Sequence, residues 1–366
     1  MLKTSNKEIS VKQFTILTFI LVVGAKLFSL PMLMLKEAGR SAWLPLVVFL
    51  VLDLVIICFV LITAKLAPNK TVFELLDEVF GKVVTKIILS LVVVYILFKA
   101  VLLIVQLSSF LSSNLFDGLP LFAIILPMAI LLIFFGVFKL RSIGRLSEIF
   151  VFLIVPAIIL LIVLTFKSAG ISRLLPLFGD RGADLDSGFM LFPIFFGDAL
   201  LAVFFLGKTK VNKKLFIAAP IAGFLGAAAT VLYSLLVFST FIDAAPLVNP
   251  NNVAAVTHAS IERYNLGRFD KIAFVLLSVV ILISLAVHFF TAVKSSTKIL
   301  NIKKTGYVSI VLAMAIFFIT ILISHADILY FAMRFGIYFV FVFAIGIPIS
   351  ALICGAVYKR RMKNGG

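Results

Sequence analysis

The chain has 366 residues, 63% of them hydrophobic, and a formal charge of +17 at pH 7. A mean hydropathy of +1.24 is far more than a water-soluble core needs, which excludes a soluble domain and points to a polytopic helical membrane protein. Its two cysteines, Cys58 and Cys354, both lie in apolar runs and exclude a disulfide framework. Three scattered histidines without clustered thiols give no metal-ligand set.

Ten apolar segments of membrane-spanning length are predicted. Span 1, 11–36, has no small-residue cleavage site and is expected to stay as a span rather than be removed as a signal. It is interrupted at 24–31 by GAKLFSLP, which puts Lys26 inside the break. Span 2, 42–65, carries Asp53. Before span 3 lies the amphipathic stretch NKTVFELLDEVFG, where Thr71 and Glu74 form a capping box and Gly81 can end a helix. A short helix at the membrane surface is predicted there. Span 3, 84–112, holds Tyr95 and Lys99 one turn apart on one face.

Spans 4 and 5 cover 119–138 and 143–166. Glu148 in span 5 follows Arg145 by three residues, the spacing of a local ion pair. Span 6, 188–207, is interrupted by Pro193 and again by Gly197–Asp198. Span 7 covers 214–242. Span 8, 268–294, carries a polar stripe of Ser284, His288 and Thr291. Spans 9 and 10 cover 307–324 and 328–358, and Arg334 follows Asp327 by two turns near the outer end of span 10 as a packing or gate charge. The loops 167–187 and 243–267 are long and rich in Pro, Asn, Asp and Gly. They read as outer lids or plain connectors, with a short helix predicted in NNVAAVTHASIERY, 251–264.

Basic residues crowd one set of loops, among them Lys65, Lys70, Lys82, Lys86, Lys208, Lys294, Lys298 and Arg360, while the alternate loops are sparse. That bias and the even span count place both termini in the cytoplasm. Because the basic loops are short and adjoin spans, the positive charge reads as topology, with the lipid bilayer as partner and no nucleic acid. The chain reads as a single transmembrane domain, 1–366, with one repeat at about 11–166 and a second at about 188–358. No phosphate-binding loop, metal-ligand spacing or nucleophile elbow is present, so neither an enzyme nor a cofactor is expected.

Ten spans divide into five and five, and the two breaks then fall at matching positions. Paired interruptions of this kind point to an inverted-repeat transporter architecture. Unwound backbone at membrane depth is tolerated only where its N–H and C=O groups meet a ligand, a cavity or protein partners. A small amino acid supplies suitable partners, a carboxylate for free N–H groups and an ammonium for free carbonyls. The expected ligand site therefore comprises Gly24, Ala25, Lys26 and Leu27 of span 1 and Phe196, Gly197 and Asp198 of span 6. Tyr95 and Lys99 form one wall, and Ser284 and His288 the other. A blander reading stands beside each residue. The breaks could be packing kinks, Lys26 could pair with Asp53, and Asp198 could cap the second half-helix. Lys99 could pair elsewhere in the bundle, and the span 8 stripe could simply knit helices together.

The segments ISVKQFTILTFILVVGAKLFSLP, AGRSAW, LLPLFGD, FFGDALL and GRFDKIAF occur in that order, and with them the chain resembles the B subunits of GerA-type spore germinant receptors. The resemblance covers nearly the whole chain and implies an all-α, LeuT-type 5+5 inverted repeat of the amino acid–polyamine–organocation superfamily. It also implies a nutrient-sensing, amino-acid-binding subunit in the spore inner membrane, working with an A subunit and a lipoprotein C subunit. A proton-coupled or uniport amino acid transporter, and a scaffold subunit with a silent site, remain alternatives.

Overall fold

The structure, a computed structural model, describes residues 8–116, 118–166, 169–175, 185–243, 269–324 and 328–364. The helix predicted within 251–264, most of the two long loops, His258, His325, Asp327 and the Arg334 side chain lie outside the described residues.

With no water in a bilayer core to satisfy the backbone, an apolar chain of this kind must close its hydrogen bonds within helices. Among the described residues, eight segments are long and apolar enough to cross a membrane, and two shorter apolar helices, Val11–Val23 and Leu121–Val137, accompany them. The first of the eight, Leu30–Leu66, contains the second half of span 1 (Leu30–Ala38), a 3-10 turn (Gly39–Ala42) and span 2 (Trp43–Leu66). Val11–Val23 is the first half of span 1. Span 4 is Leu121–Val137, span 5 Leu140–Phe166, span 7 Lys213–Phe241, span 8 Phe269–Leu300, span 9 Thr305–Ser324 and span 10 Ile328–Asn364. Span 6 is assembled from Leu185–Phe189, Phe192–Phe195 and a 3-10 segment, Asp198–Phe205.

Local chemistry sets the helix ends. Ser10 and Gln13 form a capping box at the start of span 1, and the Asn212 side chain caps span 7. The predicted surface helix is present: Thr71 and Glu74 form its capping box, and Gly81 (φ 77°, ψ 165°) separates it from span 3 inside Val72–Asn114. A Cβ at Gly81 would meet open space, so the glycine serves the positive φ alone.

Span 8 runs along span 3, and span 9 along span 4. The first half of span 1 packs on span 7, as span 6 packs on span 2. Span 5 meets span 8, as span 10 meets span 3. Exchanging every span with the one five later maps these neighbours onto one another, as a 5+5 repeat requires. Span 6 sits at the centre and is almost wholly buried, whereas span 9 lies at the rim with most of its apolar surface exposed. Exposed Ile149, Phe152, Leu322 and Val342 are the apolar face that lipid would cover.

Candidate functional site

The two breaks meet at the centre of this bundle. In span 1 the helix stops at Gly24, whose φ of 44° is glycine territory. Residues 24–29 continue as turns, with Lys26 N–H donating to Val23 O at 3.0 Å and Phe28 N–H to Ala25 O at 3.2 Å. Ala25 and Leu27 are buried apolar flanks. The Lys26 side chain is wholly buried. Its Nζ lies 3.1 Å from Asp53 Oδ2, donates to the Val22 carbonyl and sits 5.0 Å from the centre of the Phe196 ring.

In span 6 the break falls at Phe196–Gly197. Phe196 is extended and Gly197 is left-handed at φ 87°. A Cβ on Gly197 would lie 2.9 Å from Tyr95 Oη and 3.1 Å from the Ala344 side chain, so glycine is needed for space as well as for φ. Its N–H donates to Asp53 Oδ1 at 3.3 Å and its carbonyl accepts from Tyr95 Oη at 3.2 Å. Lys99 supplies most of the rest. Its Nζ donates to the carbonyls of Pro193 (3.0 Å), Ile194 (3.1 Å) and Phe196 (2.9 Å) and lies 3.1 Å from Asp198 Oδ1. Gln106 Nε2 adds a second donor to Ile194 O at 3.3 Å.

Span 8 closes the cluster. His288 Nε2 is 3.3 Å from Asp198 Oδ1, and Nδ1 is 2.8 Å from Ser284 O. A carbonyl only accepts, so that contact makes Nδ1 the donor. Nε2 can then donate to Asp198 only when the ring is doubly protonated. Asp198 Oδ1, His288 Nε2, Ser284 Oγ and Gln106 Oε1 are buried without a well-aligned hydrogen-bond partner. Buried polar atoms of that kind call for a water, an ion or a ligand. The cluster balances Lys26 and Lys99 against Asp53 and Asp198, which limits what burial costs each charge.

Several expectations need correction. The interruption expected at Pro193 is present but falls in the turn before it: the helix Leu185–Phe189 stops, residues 190–191 form turns, and Pro193 sits in the first turn of Phe192–Phe195. Asp198 does not cap the following segment through its side chain, because the carboxylate turns to Lys99 and His288 instead. Glu148 does not pair with Arg145 and accepts from Gln13 Nε2 at 3.1 Å, joining spans 1 and 5. The Lys26–Asp53 pair is present, and Lys99 pairs within the break. All of the expected site residues, from Gly24 to His288, gather in one region. Gln106 went unnoticed, although it stands seven residues after Lys99 on the same helical face.

Among the described residues no group of three or more His, Cys, Asp or Glu side chains could hold a metal ion. Two broken helices of an inverted repeat crossing at a buried polar cluster define a LeuT-type, permease-like integral membrane protein. The family model described as spore germination protein matches residues 8–328, and the chain belongs to that family. A search of curated proteins returned no match. Among solved structures the chain is similar to a glutamate-to-glutamine variant of the Eremococcus coleocola manganese transporter, at 11% identity and a TM-score of 0.52, covering 97% of this chain and 79% of that one. A histidine-to-alanine variant of the same transporter matches at 11% identity and a TM-score of 0.51, covering 94% and 74%. At such identity the likeness is one of fold.

Proposed function

We propose that this protein is the nutrient-sensing membrane subunit of a spore germinant receptor and binds a small amino acid or similar nutrient between spans 1, 3, 6 and 8. The observation that carries this reading is the set of buried polar atoms left without a hydrogen bond where the breaks meet: His288 Nε2, Ser284 Oγ and Gln106 Oε1. They adjoin two ammonium groups and the distorted backbone at Gly24 and Gly197. A small polar ligand would satisfy these atoms, and its binding would shift the balance between two arrangements of the broken spans. A and C subunits would read that shift from the spore inner membrane, with both termini of this chain in the cytoplasm. Family membership and the basic-loop bias support that placement.

A thermal-shift screen of the purified protein against the amino acids, nucleosides and simple sugars tests this reading. A compound that stabilises the wild type but neither Lys26→Ala nor Asp198→Ala supports the site at the breaks. Equal stabilisation of all three sinks it. The second reading, a proton-coupled or uniport amino acid transporter, is favoured by the permease-like fold. Uptake of the radiolabelled compound by proteoliposomes holding this chain alone would establish it over a sensor.

A further inference from the structure

Unwound helices at membrane depth expose carbonyl oxygens that attract cations, whether metal ions or organic ammonium groups. In span 6 those carbonyls are already taken. Four oxygens lie within 3.1 Å of Lys99 Nζ: the Pro193, Ile194 and Phe196 carbonyls and Asp198 Oδ1. An ammonium has three protons, so the Lys99 group is fully engaged, and its side chain is 0% exposed. These oxygens come from consecutive turns of one distorted segment, and together they present a carboxylate and three carbonyl dipoles to a single point. The ammonium that fills it arrives from span 3, 94 residues earlier than Pro193 in the chain. The orphaned polar atoms described above belong to side chains, whereas the three span 6 carbonyls that face Lys99 have a donor.

We propose that Lys99 is a tethered cation. Its ammonium occupies the subsite that a ligand's primary ammonium, or a dissolved monovalent cation, would take at the broken span 6. Two consequences follow. The folded state has no requirement for sodium or another free cation at this point. A ligand that carries an ammonium reaches the span 6 carbonyls only when Lys99 withdraws, so ligand admission is coupled to a shift of span 3 against span 6. The second consequence rests on the reading of the breaks as the ligand site, and the first does not.

The test uses the purified full chain without any nutrient. Replacing sodium by choline at constant ionic strength should leave the wild-type unfolding midpoint unchanged, and a sodium-specific rise would overturn the proposal. Lys99→Ala removes Cγ, Cδ, Cε and Nζ, the skeleton of n-propylammonium. The variant should unfold roughly 5 °C or more below the wild type. It should regain most of that loss with n-propylammonium, less with methylammonium and none with n-propanol. Equal recovery with n-propanol would mean that only volume was missing, and no recovery would mean that the oxygens form no cation subsite. Either result overturns the proposal. Should Lys99→Ala not fold, Lys99→Gln takes its place: its midpoint should rise with sodium relative to choline, and indifference would count against the subsite. Because no nutrient is present, success here together with a blank nutrient screen would leave the tethered cation standing while the sensing role fell.

Discussion

The two broken spans solve the same physical problem by different means. Span 1 mends most of its break locally: turn hydrogen bonds from Gly24, Lys26 and Phe28 reach back three or four residues, and the Lys26 ammonium returns to the Val22 carbonyl one turn earlier. Of the hydrogen bonds made in the break itself, the one from Lys26 to Asp53 leaves the span. Span 6 depends on distant residues. Its backbone is held by Asp53 of span 2 and by Tyr95, Lys99 and Gln106 of span 3. Its one acidic side chain in the break is held by spans 3 and 8. Span 1 is therefore an anchor with one charged tether. Span 6 is an element whose shape is stored in its neighbours, which suits the change of shape proposed for it on ligand binding.

Removing a charge is the harshest way to break this comparison. Lys99→Met leaves Asp198 and three carbonyls without their cation and should cost about 3–5 kcal/mol, the range for one partner removed from a buried pair. Lys26→Met should cost less, because only Asp53 and a single carbonyl lose a partner. Denaturant titration of both variants in detergent ranks the two breaks, and the reverse order would sink the anchor-and-tether description. Combining Lys99→Met with Asp198→Asn should cost less than the sum of the two single changes, by about 0.5–3 kcal/mol, since the two groups share one interaction. Strict additivity would show that the pair is not coupled.

A smaller effect is expected from Gly197→Ala. The φ of 87° and a Cβ only 2.9 Å from Tyr95 Oη together predict a loss of about 1–3 kcal/mol. Amide exchange should quicken in span 6 more than in span 1. Equal quickening in both would mean that the breaks act as one unit. Tyr95→Phe deletes a single hydrogen bond to Gly197 O and should cost about 1 kcal/mol by the same titration. Far from the breaks, Thr71→Ala removes one capping bond from the surface helix. It should cost at most about 1 kcal/mol, read as faster exchange over 72–80 with no change at either break.

Much of this architecture was legible from residue order alone. Hydropathy marked the spans, because a lipid solvent leaves a helix as the only local way to satisfy the backbone. The capping box at Thr71 and Glu74 and the stop at Gly81 were readable because capping acts over three or four residues. The interruption of span 1 was readable for a similar reason, since a glycine, a lysine and a proline within eight residues cannot continue an apolar helix undisturbed. Glu148 shows the limit. Its spacing from Arg145 suits a pair, yet the side chain turns to Gln13 across 135 residues, because helix packing decides which of two nearby partners is reached.

Pro193 shows a second limit. Proline disturbs the helix before it and is tolerated in a first turn, so the break it marks lies at 190–191, ahead of the proline, and the second break follows separately at Phe196–Gly197. The sequence by itself determined that this is a ten-span membrane protein with paired weak points in its two halves and buried charges of both signs, because each of those properties is local or compositional. Only the tertiary structure decided that Lys26 faces Asp53 while Lys99 gathers the carbonyls of span 6. Pairing between charges 27 and about a hundred residues apart is set by which helix faces meet, and helix packing carries no signature in the order of residues along one chain.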